Sequence, residues 1–181
     1  MSSSPPLPSL SHLLPPHWRD AIRGYLRDDC PVFDVQGYVV GDAVEEAVLL
    51  GKSRCVLAGV PFFEAVFEEL GCSVEWLARE GDAIEPPARV AVVRGPVRAL
   101  LQGERTALNI ISRASGIAAA ARELVAIARG VGWRGEVAGT RKVTPGFRLI
   151  EKYALLVGGA STHRMDLSAM VMLKGECTMR E

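Results

Sequence analysis

Glu136–Lys174 reads EVAGTRKVTPGFRLIEKYALLVGGASTHRMDLSAMVMLK. Glu136–Thr140 reads as a strand, Phe147–Val157 as a helix from the spacing of its apolar residues, and Ala169–Leu173 as a second strand. That order opens a parallel β/α array, because parallel strands need a crossover between them. Arg141-Lys142 follows the first expected strand directly, and Lys174 follows the second. Such positions lie at the carboxyl ends of the strands, the edge at which these folds bind ligands. From Arg141 to Lys174 six cations (Arg141, Lys142, Arg148, Lys152, Arg164, Lys174) face two acids, Glu151 and Asp166. Cations gathered at one rim suit a polyanion bearing phosphates or several carboxylates.

Plainer roles are open to some of these residues. Arg148 and Lys152, four residues apart with Glu151 beside them, read as the solvated face of a helix. Arg141 and Lys142 read equally as an anion site or as surface cations. His163 alone would be a packing or surface histidine, and only its neighbour Arg164 raises interest.

Towards the N-terminus, Ala107, Leu108, Ile111, Ala114, Ala118, Ala121, Leu124, Val125 and Ala128 mark a long helix starting near Glu104 and ended by Gly130 and Gly132. Before it, residues 18–103 read as a small α+β domain, a sheet with helices on one side. Its parts are a helix from Trp18 to about Asp28, an ambiguous, extended Val32–Val40, and a hairpin of Ala47–Leu50 with Cys55–Ala58 around Gly51-Lys52-Ser53. That turn is no phosphate loop, since Glu46 stands where the motif needs Gly. A helix opens at Pro61 and closes at Gly71. Cys72, Val74 and Trp76 alternate as a strand, and Val90–Val92 and Val97–Leu101 read as two more strands parted by Gly95-Pro96. Residues 1–17 are Ser- and Pro-rich and read as a flexible leader.

The chain has 181 residues, enough for one domain or two small ones without disulfides or metal. Its 49% hydrophobic and 23% charged residues argue against wholesale disorder. Lys plus Arg equal Asp plus Glu at 21 each, so no overall field points to nucleic acid or an acidic membrane. No apolar stretch reaches the roughly 18 residues of a membrane span. Cys30, Cys55, Cys72 and Cys177 form no metal-type spacing with each other or with His12, His17 and His163, and read as reduced, buried thiols of a cytoplasmic protein.

Three groups of residues together carry a likeness. Glu104-Arg105-Thr106-Ala107-Leu108-Asn109 with Arg113 and Ser115–Ala118 is the first, and Thr140-Arg141-Lys142 with Pro145–Arg148 is the second. Glu151-Lys152-Tyr153 with Gly158-Gly159 and His163-Arg164 is the third. In this order they resemble the quinolinate phosphoribosyltransferase family, also called nicotinate-nucleotide pyrophosphorylase (carboxylating), close to its vertebrate form, over roughly Leu13–Lys174. The resemblance implies an N-terminal α+β domain (18–103) for dimerisation and covering substrate, followed by the start of an incomplete α/β barrel (104–174). It also implies transfer of a phosphoribosyl group from phosphoribosyl pyrophosphate to quinolinate, giving nicotinate mononucleotide, carbon dioxide and pyrophosphate, with Mg2+ accompanying the pyrophosphate. By the same resemblance Arg141, His163 and Arg164 clamp the quinolinate carboxylates, and Lys142 and Lys174 face phosphate as the catalytic pair. Val143 lines the site where the family commonly has Thr, and Arg105 reaches into the site of a neighbouring subunit of a homodimer or a hexamer. After Lys174 the family continues Asp-Asn-His, whereas this chain runs Gly175–Glu181. The expectation is therefore a family member cut within the barrel, with a non-family tail at 175–181. The other reading is a non-catalytic short form that pairs with full-length subunits.

Overall fold

The structure, a computed structural model, describes residues 10–173. Lys174, Cys177 and the tail expected at 175–181 lie outside the described residues, as do residues 1–9 of the expected leader.

The first helix, α1 (Trp18–Asp29), turns Trp18, Ile22, Tyr25 and Leu26 to one side, and Ile22 is 1% exposed. Pro31 follows, where the missing N–H and the restricted residue before it stop a helix. Val32–Val40 departs from its extended reading, because Val35–Val40 forms the short helix α2. Asp34 caps it by accepting from the Gly37 N–H at 2.8 Å, enough to override the β preference of its valines.

Strand β1 (Val44–Gly51) pairs antiparallel with β5 (Ala88–Pro96), and β5 pairs antiparallel with β3 (Ser73–Trp76), giving the order β1-β5-β3. The expected hairpin at Gly51-Lys52-Ser53 does not form: β2 (Cys55–Val56) pairs instead with β4 (Ala83–Ile84). Between β2 and β3 lies α3 (Val60–Glu69), with Pro61 in its first turn and Phe62, Phe63, Val66 and Phe67 buried. Arg19–Glu68 and Arg23–Glu69, at 2.7 and 2.9 Å, tie α1 to it.

Val97–Leu101, expected as a strand, is the opening of α4 (Val97–Gly130). Buried Ala99, Leu100, Gly103, Thr106, Ala107, Ile110, Ile111 and Ala114 repeat with helical period straight through the expected start at Glu104. Pro96 ends the strand, and the helix then runs 34 residues, about 50 Å. It packs on α1, α2 and α3, on β2 and β5, and on α5 (Arg148–Val157).

Beyond α4 the chain makes one parallel bridge, Ala138 to Ser161, flanked by Ser161 N–H to Val137 O at 2.8 Å and Gly139 N–H to Ser161 O at 2.9 Å. Helix α5 is the crossover between these two segments, but the strand expected at Glu136–Thr140 is reduced to this single bridge. The second segment is misplaced in the sequence reading. The chain returns to pair at Ser161, four residues after α5 ends at Val157, a short link after the helix. Ala169–Leu173 is exposed and is not a strand; Met170 at φ 65° interrupts any extended run there.

The core gathers Ile22, Phe62, Val66, Ile110 and Val157. Trp18 meets Phe62 edge-on at 5.2 Å, and Phe62 meets Tyr153 edge-on at 5.3 Å, so aromatic contact runs unbroken from α1 through α3 to α5. Of the thiols expected to be buried, Cys72 is, Cys55 is half-buried and Cys30 is exposed; all three are free.

Candidate functional site

Parallel pairing fixes which residues share an end. Ala138 lies opposite Ser161, so Arg141 and Arg164 each stand three residues beyond the bridged pair. Parallel pairing thus puts Arg141-Lys142 and His163-Arg164 on the same, carboxyl side of the bridged pair. A cavity of about 380 Å3 opens at the opposite, amino ends of these segments, lined by Arg129, Trp133, Glu136 and Ser161, away from these cations.

The loop bearing Arg141, Lys142 and Val143 is a tight turn. Lys142 N–H donates to Thr140 Oγ1 at 3.0 Å and Val143 N–H to Arg141 O at 3.0 Å. Arg141 and Lys142 are exposed and Val143 half-buried. Three helices fasten the chain from Thr144 onward. From α1, Tyr25 donates its hydroxyl to Gly146 O at 2.5 Å and stacks on Phe147. From α4, Arg113 donates to Thr144 Oγ1 at 2.7 Å and to Glu151 Oε1 at 2.8 Å. From α5, Glu151 accepts the Thr144 N–H at 3.3 Å. Burial pushes the Glu151 carboxyl upward, but the hydrogen bonds from Thr144 and Arg113 outweigh it and hold the group below its ordinary value.

The second segment is held from the next residue of the same helix. Lys152 is 1% exposed, and its ammonium donates to Thr162 O and, at 3.2 Å, to Arg164 O. Burial, with Arg148 nearby, pushes that ammonium below its usual value. The solvated-face reading of Lys152 and Glu151 is thus overturned, and only Arg148 of that group is exposed. Seven of the ten residues of α5 are apolar and gather mainly on one face, while Arg148, Glu151 and Lys152 share the other, where Glu151 and Lys152 are nevertheless buried. Nothing in that pattern marked Glu151 and Lys152 as buried, since they share a face with the exposed Arg148. Arg113 and Thr144 carried no signal either, because their partner Glu151 is 38 residues from one and seven from the other.

His163 adopts φ 56°, a left-handed conformation uncommon outside glycine. Its Nδ1, and Nε of Arg164, are buried with no hydrogen-bond partner among the described residues. Each such atom costs roughly 1–3 kcal/mol, a cost that calls for an explanation. Arg164 also donates from its Nη1 to Met170 O at 3.1 Å. Arg105 stands apart on α4, with a side chain 72% exposed and its neighbour Glu104 3.5 Å away. Arg113, which does reach the loop, lies eight residues or about 12 Å further along the same helix. Among the described residues no group of three or more His, Cys, Asp or Glu could hold a metal ion.

Comparison with known proteins agrees with this layout. Residues 34–115 match the quinolinate phosphoribosyl transferase N-terminal domain, and residues 117–179 match the C-terminal domain of the same family. The nicotinate-nucleotide pyrophosphorylase [carboxylating] of Homo sapiens is 55% identical over 166 residues, 91% of this chain and 56% of that protein. Its counterpart in Dictyostelium discoideum is 44% identical, covering 91% and 60%. Among solved structures, the nicotinate-nucleotide pyrophosphorylase from Francisella tularensis superposes with a TM-score of 0.79 at 29% identity, over 88% of this chain and 58% of that one. NadC from Streptococcus pyogenes gives 0.79 at 35% identity, over 87% and 56%. The chain spans a little over half the length of the relatives it matches. With both domain models matched in order along most of its length, the chain belongs to the quinolinate phosphoribosyltransferase family.

Proposed function

We propose that the chain binds quinolinate and phosphoribosyl pyrophosphate and serves the transfer that yields nicotinate mononucleotide, carbon dioxide and pyrophosphate. The observation that supports this reading is the parallel Ala138–Ser161 bridge, on whose carboxyl side both Arg141-Lys142 and His163-Arg164 follow. Both substrates are polyanions. The sugar C1 becomes positive as pyrophosphate departs, and fixed cations both hold the reactants together and stabilise the departing charge. Arg141, His163 and Arg164 take the two pyridine carboxylates, with Val143 beside them. Lys142 and Lys174 face phosphate and pyrophosphate. In this reading Mg2+ accompanies the diphosphate of the sugar substrate.

The exposed Arg105 projects into the site of a second subunit, in a homodimer or a hexamer built as a trimer of dimers. The free thiols of Cys30, Cys55 and Cys72 suit a reducing compartment, and the proposed location is the cytoplasm. No described helix is long and apolar enough to cross a membrane.

The test is calorimetry of the chain with quinolinate, alongside pyrophosphate release with both substrates and magnesium. Arg141→Ala is expected to weaken quinolinate binding by roughly tenfold or more, the loss of one charge-assisted contact. Unchanged binding removes Arg141 from the site, and no binding by the unaltered chain removes the reading.

A further inference from the structure

We infer that Lys152 is a positioning residue of the anion site: its buried ammonium fixes the backbone on both sides of His163 and so sets the aim of His163 and Arg164. This deepens the transferase reading and rests on it.

Lys152 is 1% exposed, and an ammonium is costly to bury unless its charge is met; among the described residues no carboxylate pairs with it. Glu151, adjacent in sequence, is engaged by Arg113 and Thr144. The acceptors of Lys152 are two backbone carbonyls, Thr162 O and Arg164 O, one before His163 and one after it. The intervening carbonyl, His163 O, accepts from Thr162 Oγ1 at 2.9 Å. All three consecutive carbonyls are therefore held, and the middle residue is the one at φ 56°. Fixing the planes of successive peptides fixes φ and ψ between them, and with them the direction of each Cα–Cβ bond. Two donors from one rigid side-chain end thus hold a strained turn that a single hydrogen bond would leave free to relax. Glu151 fastens the Arg141-Lys142 loop through Thr144 while Lys152 fastens Thr162–Arg164, so adjacent residues of α5 fix the two halves of the rim relative to each other.

The experiment compares the full chain with Lys152→Met and Lys152→Arg. It reads amide hydrogen exchange of residues 161–165, the His163 ring resonances by NMR (assigned with His163→Gln), and quinolinate affinity by calorimetry. Lys152→Met is expected to speed exchange in 161–165 by about tenfold or more while α4 is unchanged, to shift the His163 ring signals, and to weaken quinolinate by roughly tenfold. Lys152→Arg, which restores donors to the site, is expected to recover part of all three. A folded Lys152→Met chain with unchanged exchange and unchanged His163 signals overturns the inference. So does weakened binding without either local change, which would make the effect one of charge alone. If the unaltered chain binds no quinolinate while exchange and ring signals respond as expected, the transferase reading fails and the positioning role stands. Should Lys152→Met not fold, Lys152→Gln, with a donor at shorter reach, carries the same readouts, and no change in them overturns the inference.

Discussion

Glu151 and Lys152 are neighbours of opposite charge that do not pair with each other. Each turns to a different loop, and each is buried. A third ionisable group near this helix behaves oppositely to Glu151. Glu80 accepts the N–H groups of Gly59 and Val60 at 2.7 and 3.0 Å, at the start of α3, and is also hydrogen-bonded to the Tyr153 hydroxyl. Burial nevertheless drives its carboxyl up to about 7. Below the ordinary carboxyl range both folded and unfolded chains are protonated at this position. Between there and pH 7 the folded chain keeps a proton that the unfolded chain releases, so this group erodes stability as pH rises and the loss is complete above 7. The loss is on the order of 3 kcal/mol. Glu80→Gln should remove that slope: urea unfolding from pH 4.5 to 8 should show the variant gaining steadily on the unaltered chain. Parallel curves would refute it. Glu151 has the reverse sign, contributing stability above its ordinary value that disappears as pH falls through its depressed one.

Close approach of α4 and α5 depends on one missing side chain. A Cβ on Gly158 would lie 2.6 Å from both Ala118 O and Ala121 Cβ, inside any permitted contact. Gly158→Leu should cost roughly 1–3 kcal/mol or more, read as a fall in the urea midpoint, and Gly116→Ala, with open space around it, should not. A Gly158→Leu chain with an unshifted midpoint would mean the helices are not in contact. At this scale the sequence was uneven. Periodicity located α1, α3, β3 and α5 because each has one apolar pattern over its whole length. It failed where a distant partner decides the outcome. Val97–Leu101 follows the Gly95-Pro96 break that suggested a new strand, yet Arg98, Ala99, Leu100 and Leu101 are good helix formers and continue the buried face of α4, and β2 turns to β4 rather than to its neighbour β1. Val35–Val40 is helical through a cap that Asp34 supplies. Ala169–Leu173 looked like a strand because it is apolar, yet nothing in a local apolar run reveals that Met170 takes a left-handed conformation.

For the molecule as a whole, many large apolar side chains lie exposed on the described surface. Phe33 and Tyr38 are 91% and 90% exposed beside Val35 and Val39, and Val131, Val171 and Leu173 lie open at the other end of the chain. The isolated chain should enhance anilinonaphthalene sulfonate fluorescence strongly and sediment as an associating species. A dye-silent, monodisperse monomer would contradict that. The α+β unit and the start of a parallel β/α array were legible from element order, and Arg141-Lys142 from its place after the first expected strand. The incomplete barrel and the roles of His163 and Arg164 came only with the family resemblance, because the second strand was expected at Ala169–Leu173 instead of near Ser161. The scaffold behind the rim was not legible, since Tyr25, Arg113 and Thr144 act across long separations in sequence.

Helix α4 belongs to both halves. It forms one wall of the three-stranded sheet's core at its start and the bed for α5 further on. A gene divided at residue 103, or between residues 115 and 117, would therefore sever a single rod and strip each product of its lining. Neither piece could be prepared as a tidy module, and any shortened form of this protein has to be cut outside residues 97–130.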